Sequence, residues 1–134
     1  MIYFDADVWI HYFVLQDPVK QASSVQQIQN AAASNQLAVS VLVLQEVSFV
    51  MSKLKMPLPD IIQAMTFLKA LNPYPVTPVN FQRAEIIAQH IGFQNINDCI
   101  HTAIAETNCT ALVTFNRSDF NQIQQLTSLK ITIL

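Results

Sequence analysis

Short apolar runs alternate along the chain with longer stretches in which apolar residues recur at every third or fourth position. Continuous apolar runs of this length are typical of strands that are covered on both faces of a sheet. Five runs predict strands, at residues 2–4, 37–41, 74–77, 111–114 and 130–134. Pro75 interrupts the third run and indicates a position at the edge of the sheet.

The stretches between these runs have the period of amphipathic helices. The first helix is expected to end near Gln16, and Asp17-Pro18 starts the second, because Asp accepts hydrogen bonds from free amides and Pro is tolerated at the first helical position. Further helices are predicted around Glu46, over 61–71, from 78 to Gly92, over 95–107 and, as a short helix, before the last strand. This alternation indicates a three-layer α/β/α sandwich with a mainly parallel central sheet.

Length and composition indicate one domain over residues 1–134, with 51% apolar residues to build its core. The two cysteines have no spacing typical of a zinc site or a disulfide scaffold, so a reducing cytoplasm is the expected location. No apolar stretch approaches the roughly 20 residues that span a bilayer, so no membrane association is expected. Only 12% of the residues are charged, which suggests that a partner or a second copy covers apolar surface.

The net charge of −2 at first argues against a nucleic-acid partner, because phosphate binding usually depends on Lys and Arg. The total, however, does not show how the charges are distributed over the molecule. If five acids form one site, the four that remain face seven Lys and Arg residues, and the rest of the molecule carries +3. The five acids are Asp5, Asp7, Glu46, Asp98 and Asp119.

Polar side chains follow the predicted strands, where ligands bind in open α/β sheets. Asp5 follows the first strand, Glu46 lies on the helix after the second, Asp98 begins a late helix, and Thr114, Asn116 and Asp119 follow the strand "ALV". Carboxylates that converge repel one another unless a divalent cation binds them, and oxygen ligands favour Mg²⁺ or Mn²⁺. Such ions activate water for cleavage of a phosphodiester bond.

Four segments carry a resemblance to a known family. "IYFDADVWIHYF" bears the first acid at Asp5, "VSVLVLQEV" bears Glu46, "NDCIHTAIA" bears Asp98, and "LVTFNRSDF" bears Thr114, Asn116 and Asp119. Together, in this order and over the whole chain, they resemble the PIN-domain nucleases, most closely the VapC-type toxins of bacterial toxin–antitoxin modules.

The resemblance implies a Mg²⁺- or Mn²⁺-dependent endoribonuclease that cuts single-stranded RNA. It also implies a homodimer and a cognate antitoxin that covers the active groove. Asp5, Glu46, Asp98 and Asp119 are then the expected catalytic and metal-binding residues, with Asp7, Thr114, Asn116 and Arg117 supporting them or the substrate. Two positions depart from the family pattern: Asp7 stands where Asn or Ser is usual, and Val43 where Thr or Ser often precedes the helix.

Several of these residues have a second interpretation. Asp7 is interpreted as a cap of the first helix or as a metal contact, and Ser118-Asp119 as a cap of the short helix or as part of the site. Asn116 either binds near the metal or is a turn residue, and Thr114 is expected to orient a carboxylate. Arg117 holds the scissile phosphate or is solvated. The three histidines, His11, His90 and His101, are interpreted as surface or packing residues.

Two alternative functions remain open. "FDADVW" also resembles the first motif of haloacid-dehalogenase phosphatases, in which the first Asp attacks phosphorus and the second is the acid. That family needs a late Lys and an acidic pair near a Gly-Asp turn, whereas the chain has a single glycine, Gly92, and Glu46 and Asp98 would be unexplained. The second alternative is a non-catalytic PIN-like fold that binds RNA or a partner.

Overall fold

A computed structural model describes all 134 residues of the chain. Four strands alternate with seven α-helices and one 3-10 turn. In chain order they are β1 (Ile2–Phe4), α1 (Ala6–Phe13), α2 (Pro18–Ala33), β2 (Leu37–Ala38), α3 (Val41–Lys53), α4 (Leu58–Lys69), α5 (Pro78–Ile91), the 3-10 turn (Phe93–Asn95), α6 (Ile96–Asn108), β3 (Ala111–Thr114), α7 (Arg117–Ile123) and β4 (Lys130–Ile133).

The sheet is parallel throughout and has the strand order β2-β1-β3-β4. Tyr3 pairs with Ala38 on one side and Leu112 on the other. Consecutive residues of the two central strands are buried, Tyr3 with Phe4 and Leu112 with Val113. Because successive side chains point to opposite faces, helices must cover the sheet on both sides. The predicted α/β/α sandwich is confirmed.

Helix boundaries follow the local chemistry that the sequence indicated. The Asp17 carboxylate accepts hydrogen bonds from the amides of Val19 and Lys20 at the start of α2. Thr77 and Asn80 form a reciprocal capping box at the start of α5. Gly92 ends that helix with φ +102°, a left-handed conformation in which a Cβ would be strained.

Three predicted boundaries were wrong. The first helix ends at Phe13 and does not continue to Gln16. The strand predicted over 37–41 pairs only at Leu37–Ala38, because Ser40 caps α3 and the chain turns into helix at Val41. The predicted strand at 74–77 is reduced to a single parallel bridge between Ser40 and Tyr74.

None of the helices combines the length and the apolar character that crossing a membrane requires. Both cysteines are free thiols, and Cys99 is buried.

The strand order also fixes where a ligand could bind. From β1 the chain passes to β2 on one side of the sheet, and later to β3 on the other side of β1. The carboxyl ends of β1 and β3 therefore flank the point at which the direction of winding reverses, and ligands of open α/β sheets bind at such a point. Asp5 follows β1 directly, and Thr114 is the last residue of β3.

Candidate active site

Asp5 is held between the two central strands. Its amide donates to the Val113 carbonyl over 3.0 Å, which extends the pairing of β1 with β3 by one residue. One carboxylate oxygen accepts a hydrogen bond from the amide of Ala6 (2.7 Å) and so caps α1, and the other accepts from the Thr114 hydroxyl (2.9 Å). Only 4% of the residue is exposed. Its orientation is therefore fixed from two sides.

Glu46 reaches the same region from α3. Its Oε1 accepts a hydrogen bond from Asn97 Nδ2 and its Oε2 from His101 Nε2, each over 3.0 Å. The same His101 nitrogen lies 3.5 Å from Asp5 Oδ1. Glu46 and Asp5 are thus brought together around one imidazole edge.

Asp98 and Asp119 are joined by the side chain of Asn116. The Asn116 amide nitrogen donates to Asp98 Oδ2 (3.0 Å) and to Asp119 Oδ2 (2.8 Å). The Asn116 Oδ1 accepts from the Asp119 amide (3.3 Å) and caps α7. The cap of the short helix is therefore Asn116, and the alternative in which Ser118-Asp119 caps it was wrong.

One of the two interpretations of Asp7, that it caps the first helix, was wrong. The cap is Asp5, and Asp7 lies in the first turn of α1. Its Oδ2 accepts from the Phe115 amide (3.1 Å) and lies 3.3 Å from the Thr114 hydroxyl, so it ties α1 to the end of β3. Its Oδ1 is buried and has no hydrogen-bond partner.

Asp5, Asp7, Glu46 and Asp98 share one cleft of about 290 Å³. Ala6, Ile10, Phe49 and Val50 provide its apolar wall. The polar residues that line it are Asp5, Asp7, Glu46, Asn97, Asp98 and Asn116. Asp119 is not part of this lining, and its contact with the lining is the hydrogen bond from Asn116. Arg117 is exposed, and no ion pair joins it to the carboxylates.

Sequence reasoning missed three members of the cluster: Asn97, His101 and Tyr3. His101 was interpreted as a surface or packing residue, but it is fully buried against Asp5 and Glu46. The spacing offered one signal. His101 is four residues after Asn97 and three after Asp98, so the three side chains lie on the same side of α6. His11 does pack, edge-on against the Phe115 ring at 5.2 Å between centroids, and His90 is exposed.

The electrostatics of the cleft reflect crowded negative charge. Burial, followed by the charge of Asp5, raises the pKa of Asp98 to about 8. The same two causes raise the pKa of Asp7 to about 7. Burial alone would lower the pKa of His101, but Asp5 and the hydrogen bond to Glu46 raise it to about 9. Little positive charge therefore balances these carboxylates, and His101 is the group that forms ion pairs with them.

The residues fit a divalent cation. Carboxylate oxygens of Asp5 and Glu46 lie within 4.8 Å of each other and of a ring nitrogen of His101, although Asp98 is not in that group. The unpaired, buried Asp7 Oδ1 also points to a missing partner, because buried polar atoms are normally hydrogen-bonded. A donor set dominated by carboxylate oxygens suits Mg²⁺ or Mn²⁺.

Comparison with known proteins identifies the family. The PIN domain model matches residues 2–126, which is nearly the whole chain. The chain belongs to the PIN-domain family. This membership excludes the haloacid-dehalogenase alternative, which is a different family, and it agrees with the resemblance carried by the four sequence segments.

A solved structure shares the PIN fold over the full length. The crystal structure of VapBC2 from Rickettsia felis, bound to a DNA fragment from the promoter, contains a chain that is 19% identical. The alignment covers 100% of this PIN domain and 99% of that chain, with a TM-score of 0.73. At this identity the likeness concerns the fold. No curated protein sequence matches the chain.

Proposed function

We propose that the protein is a Mg²⁺-dependent endoribonuclease of the VapC type, the toxin of a toxin–antitoxin pair that acts in the cytoplasm. The observation that carries this proposal is the meeting of Asp5, Glu46 and Asp98, from three different elements, in one cleft of a PIN domain. These residues are separated by 41 and 52 positions in sequence, so only the fold explains their proximity.

Asp5, Glu46, Asp98 and Asp119 would hold the cation. The support is their chemistry, with oxygen ligands and a shortage of positive charge, and the cleft that Asp5, Glu46 and Asp98 share, to which Asn116 joins Asp119. The residues around them fix their orientation. Thr114 holds Asp5, and Asn116 holds both Asp98 and Asp119. Asp7 lines the cleft and fixes the turn after β3, and its Oδ1 is buried without a hydrogen-bond partner.

Bound Mg²⁺ supplies activation of a water and stabilisation of charge on the phosphate in such a reaction. The chain supplies the geometry. Asp5 and Asp98 face the cleft with fixed orientations, so that a phosphodiester entering it meets groups that need little reorganisation. Arg117 is exposed beside the cleft and is free to contact the RNA backbone.

The substrate class proposed is single-stranded RNA. An acidic cleft repels a polyanion, so binding must depend on the cation and on contacts with bases and sugars. Phe49 lines the cleft with 67% of the residue exposed, and an exposed aromatic ring is a surface on which an unpaired base stacks.

The proposed partners are an antitoxin and a second copy of the chain. Large apolar side chains outside the cleft support them, because an isolated domain would leave these groups in water. The most exposed include Val19, Val79, Leu58 and Leu15. The resemblance to VapC-type toxins indicates that these partners are an antitoxin and a second copy of the chain.

The deciding experiment measures cleavage of single-stranded RNA by the purified chain with Mg²⁺, with Mn²⁺ and with a chelator. We expect cleavage that needs the cation and is lost in Asp5→Asn and Asp98→Asn. Asp60→Asn is the matched control, because Asp60 is an exposed acid on α4 outside the cleft and should leave the rate unchanged.

Cleavage that persists in both cleft variants would contradict the proposal. An inactive wild type that still binds RNA would favour the non-catalytic alternative. The toxin assignment has its own test: production of the chain alone in a bacterial host should arrest growth, and the Asp5→Asn variant should not.

A further inference from the structure

Glu46 is held by α6 through both of its carboxylate oxygens. Asn97 donates to Oε1 and His101 to Oε2, at equal distances of 3.0 Å. The two donors are four residues apart on α6, which places them on one face of that helix, with Asp98 between them in sequence. The helix that supplies one cleft acid therefore also fixes another.

The contacts continue inward from His101. Its Nδ1 lies 2.7 Å from the Tyr3 hydroxyl, which lies 2.6 Å from Ser40 Oγ. Ser40 in turn accepts from the Val43 amide and caps α3, the helix that carries Glu46. The hydrogen bonds thus form a closed loop from α3 through β1 and α6 back to α3. Tyr3, Ser40 and His101 are all fully buried.

His101 is placed to orient carboxylates and not to bind an ion. It lies behind Asp5 and Glu46 and does not line the cleft. A nitrogen that bonds to a carboxylate oxygen must carry a proton, so Nε2 has no lone pair for a cation while it holds Glu46. Nδ1 faces the Tyr3 hydroxyl in the interior. Hard cations entering from the cleft meet carboxylate oxygens first.

We propose that Asn97, His101 and Tyr3 are positioning residues that fix Glu46 beside Asp5 for a divalent ion, with His101 Nε2 between the two carboxylates. This inference rests on the proposed function. A carboxylate already held in place loses little side-chain freedom on binding. Removing residues that orient metal ligands typically costs about 10- to 100-fold in metal affinity.

The test is isothermal titration with Mn²⁺ of Asn97→Ala, His101→Leu, His101→Gln and Tyr3→Phe. Asn97→Ala and His101→Leu should each weaken binding by about 10- to 100-fold. His101→Gln should recover part of this loss because its amide still donates, and Tyr3→Phe should have a smaller effect because the imidazole keeps its bond to Glu46. Asn121→Ala is the control, since Asn121 is an exposed Asn on α7.

Pulsed electron paramagnetic resonance of the Mn²⁺-loaded wild type gives an independent readout. We expect no coupling to a directly coordinated nitrogen. Such a coupling would make His101 a ligand and overturn the inference, as would wild-type affinity in both Asn97→Ala and His101→Leu. If His101→Leu does not fold, the exposed Asn97→Ala and the resonance spectrum decide.

The outcomes separate this inference from the proposed function. A wild type that binds no Mn²⁺ would remove both. A wild type that binds Mn²⁺ and cleaves RNA, with unchanged affinity in the positioning variants, would remove the positioning role alone. In positioning variants that bind Mn²⁺ more weakly, kcat at saturating Mn²⁺ should also fall, while KM for RNA should change little.

Discussion

Thr114 has one hydroxyl, and that hydroxyl contacts three groups. It donates to Asp5 Oδ2, lies close to Asp7 Oδ2, and accepts from the Asn116 amide over 3.0 Å. The side chain is fully buried. A single atom at the end of β3 therefore orients the acid after β1 and shapes the turn that leads to Asn116.

Thr114→Val tests this arrangement, because valine has nearly the same shape and no hydroxyl. Loss of the hydrogen bonds leaves buried polar partners unsatisfied, so we expect unfolding to become easier by about 1–3 kcal/mol. Urea denaturation measures the change. Thr114→Ser keeps the hydroxyl and should be closer to wild type, and equal stability of Val and Ser variants would show that the hydroxyl contributes nothing.

The carboxylates themselves predict how stability depends on pH. The pKa of Asp98 is raised to about 8 in the folded chain from an ordinary value of 3.8, so the folded state holds this proton more tightly than the unfolded state. The pKa of His101 is raised to about 9 from 6.5, and its contribution is complete below 6.5 and lost as the pH rises through 9. Both groups therefore make the metal-free protein less stable as the pH rises.

In the presence of a chelator, the melting temperature should thus fall between pH 6 and pH 9. The slope is at most about 1.4 kcal/mol per pH unit for each group. Asp98→Asn should flatten the dependence because it removes one of the groups that titrate in this range, which also include Asp7 and His101, whereas Asp60→Asn should keep the wild-type slope. A melting temperature that rises over this range would contradict the assignment.

At the scale of elements, α3 illustrates how local chemistry shapes the site. The apolar run at 37–41 predicted a strand, yet Ser40 ends the strand early. Its hydroxyl oxygen accepts a hydrogen bond from the Val43 amide and is also hydrogen-bonded to the Tyr3 hydroxyl. Helix therefore begins at Val41. This start point places Glu46 and Phe49, three residues apart, on the same side of the helix at the cleft.

Under the proposed function, Phe49→Ala should raise KM for single-stranded RNA with little change in kcat. Stacking of a base on an aromatic ring contributes about 1–3 kcal/mol, which corresponds to roughly 5- to 150-fold in KM. Phe49→Trp should retain wild-type KM. The control is Phe81→Ala, an exposed aromatic on α5 outside the cleft. An unchanged KM in Phe49→Ala would exclude stacking at this position.

At the scale of the whole molecule, the sequence predicted the parallel α/β/α fold because strand runs and helical stripes are local patterns. Asp5, Glu46 and Asp98 were predicted to meet because carboxyl ends of parallel strands share one edge. Contacts between distant side chains leave no such pattern. The bond from Tyr3 to His101 joins residues 98 positions apart, and nothing local marks either residue as a partner of the other.

The same convergence predicts that ion binding stabilises the whole domain. The cleft acids come from the end of β1, from α3 and from α6, so the unfolded chain cannot hold an ion in the same way. At a Mn²⁺ concentration about 100 times the dissociation constant, the gain is about 2.7 kcal/mol.

For a domain of 134 residues this gain corresponds to a rise in melting temperature of roughly 10 °C. Scanning calorimetry with and without Mn²⁺ measures it. Asp5→Asn and Asp98→Asn should lose the rise, because each removes a charged oxygen that faces the ion, and Asp60→Asn should retain it. An equal rise in all four proteins would mean that Mn²⁺ binds elsewhere on the surface, and this result would exclude the cleft as the metal site.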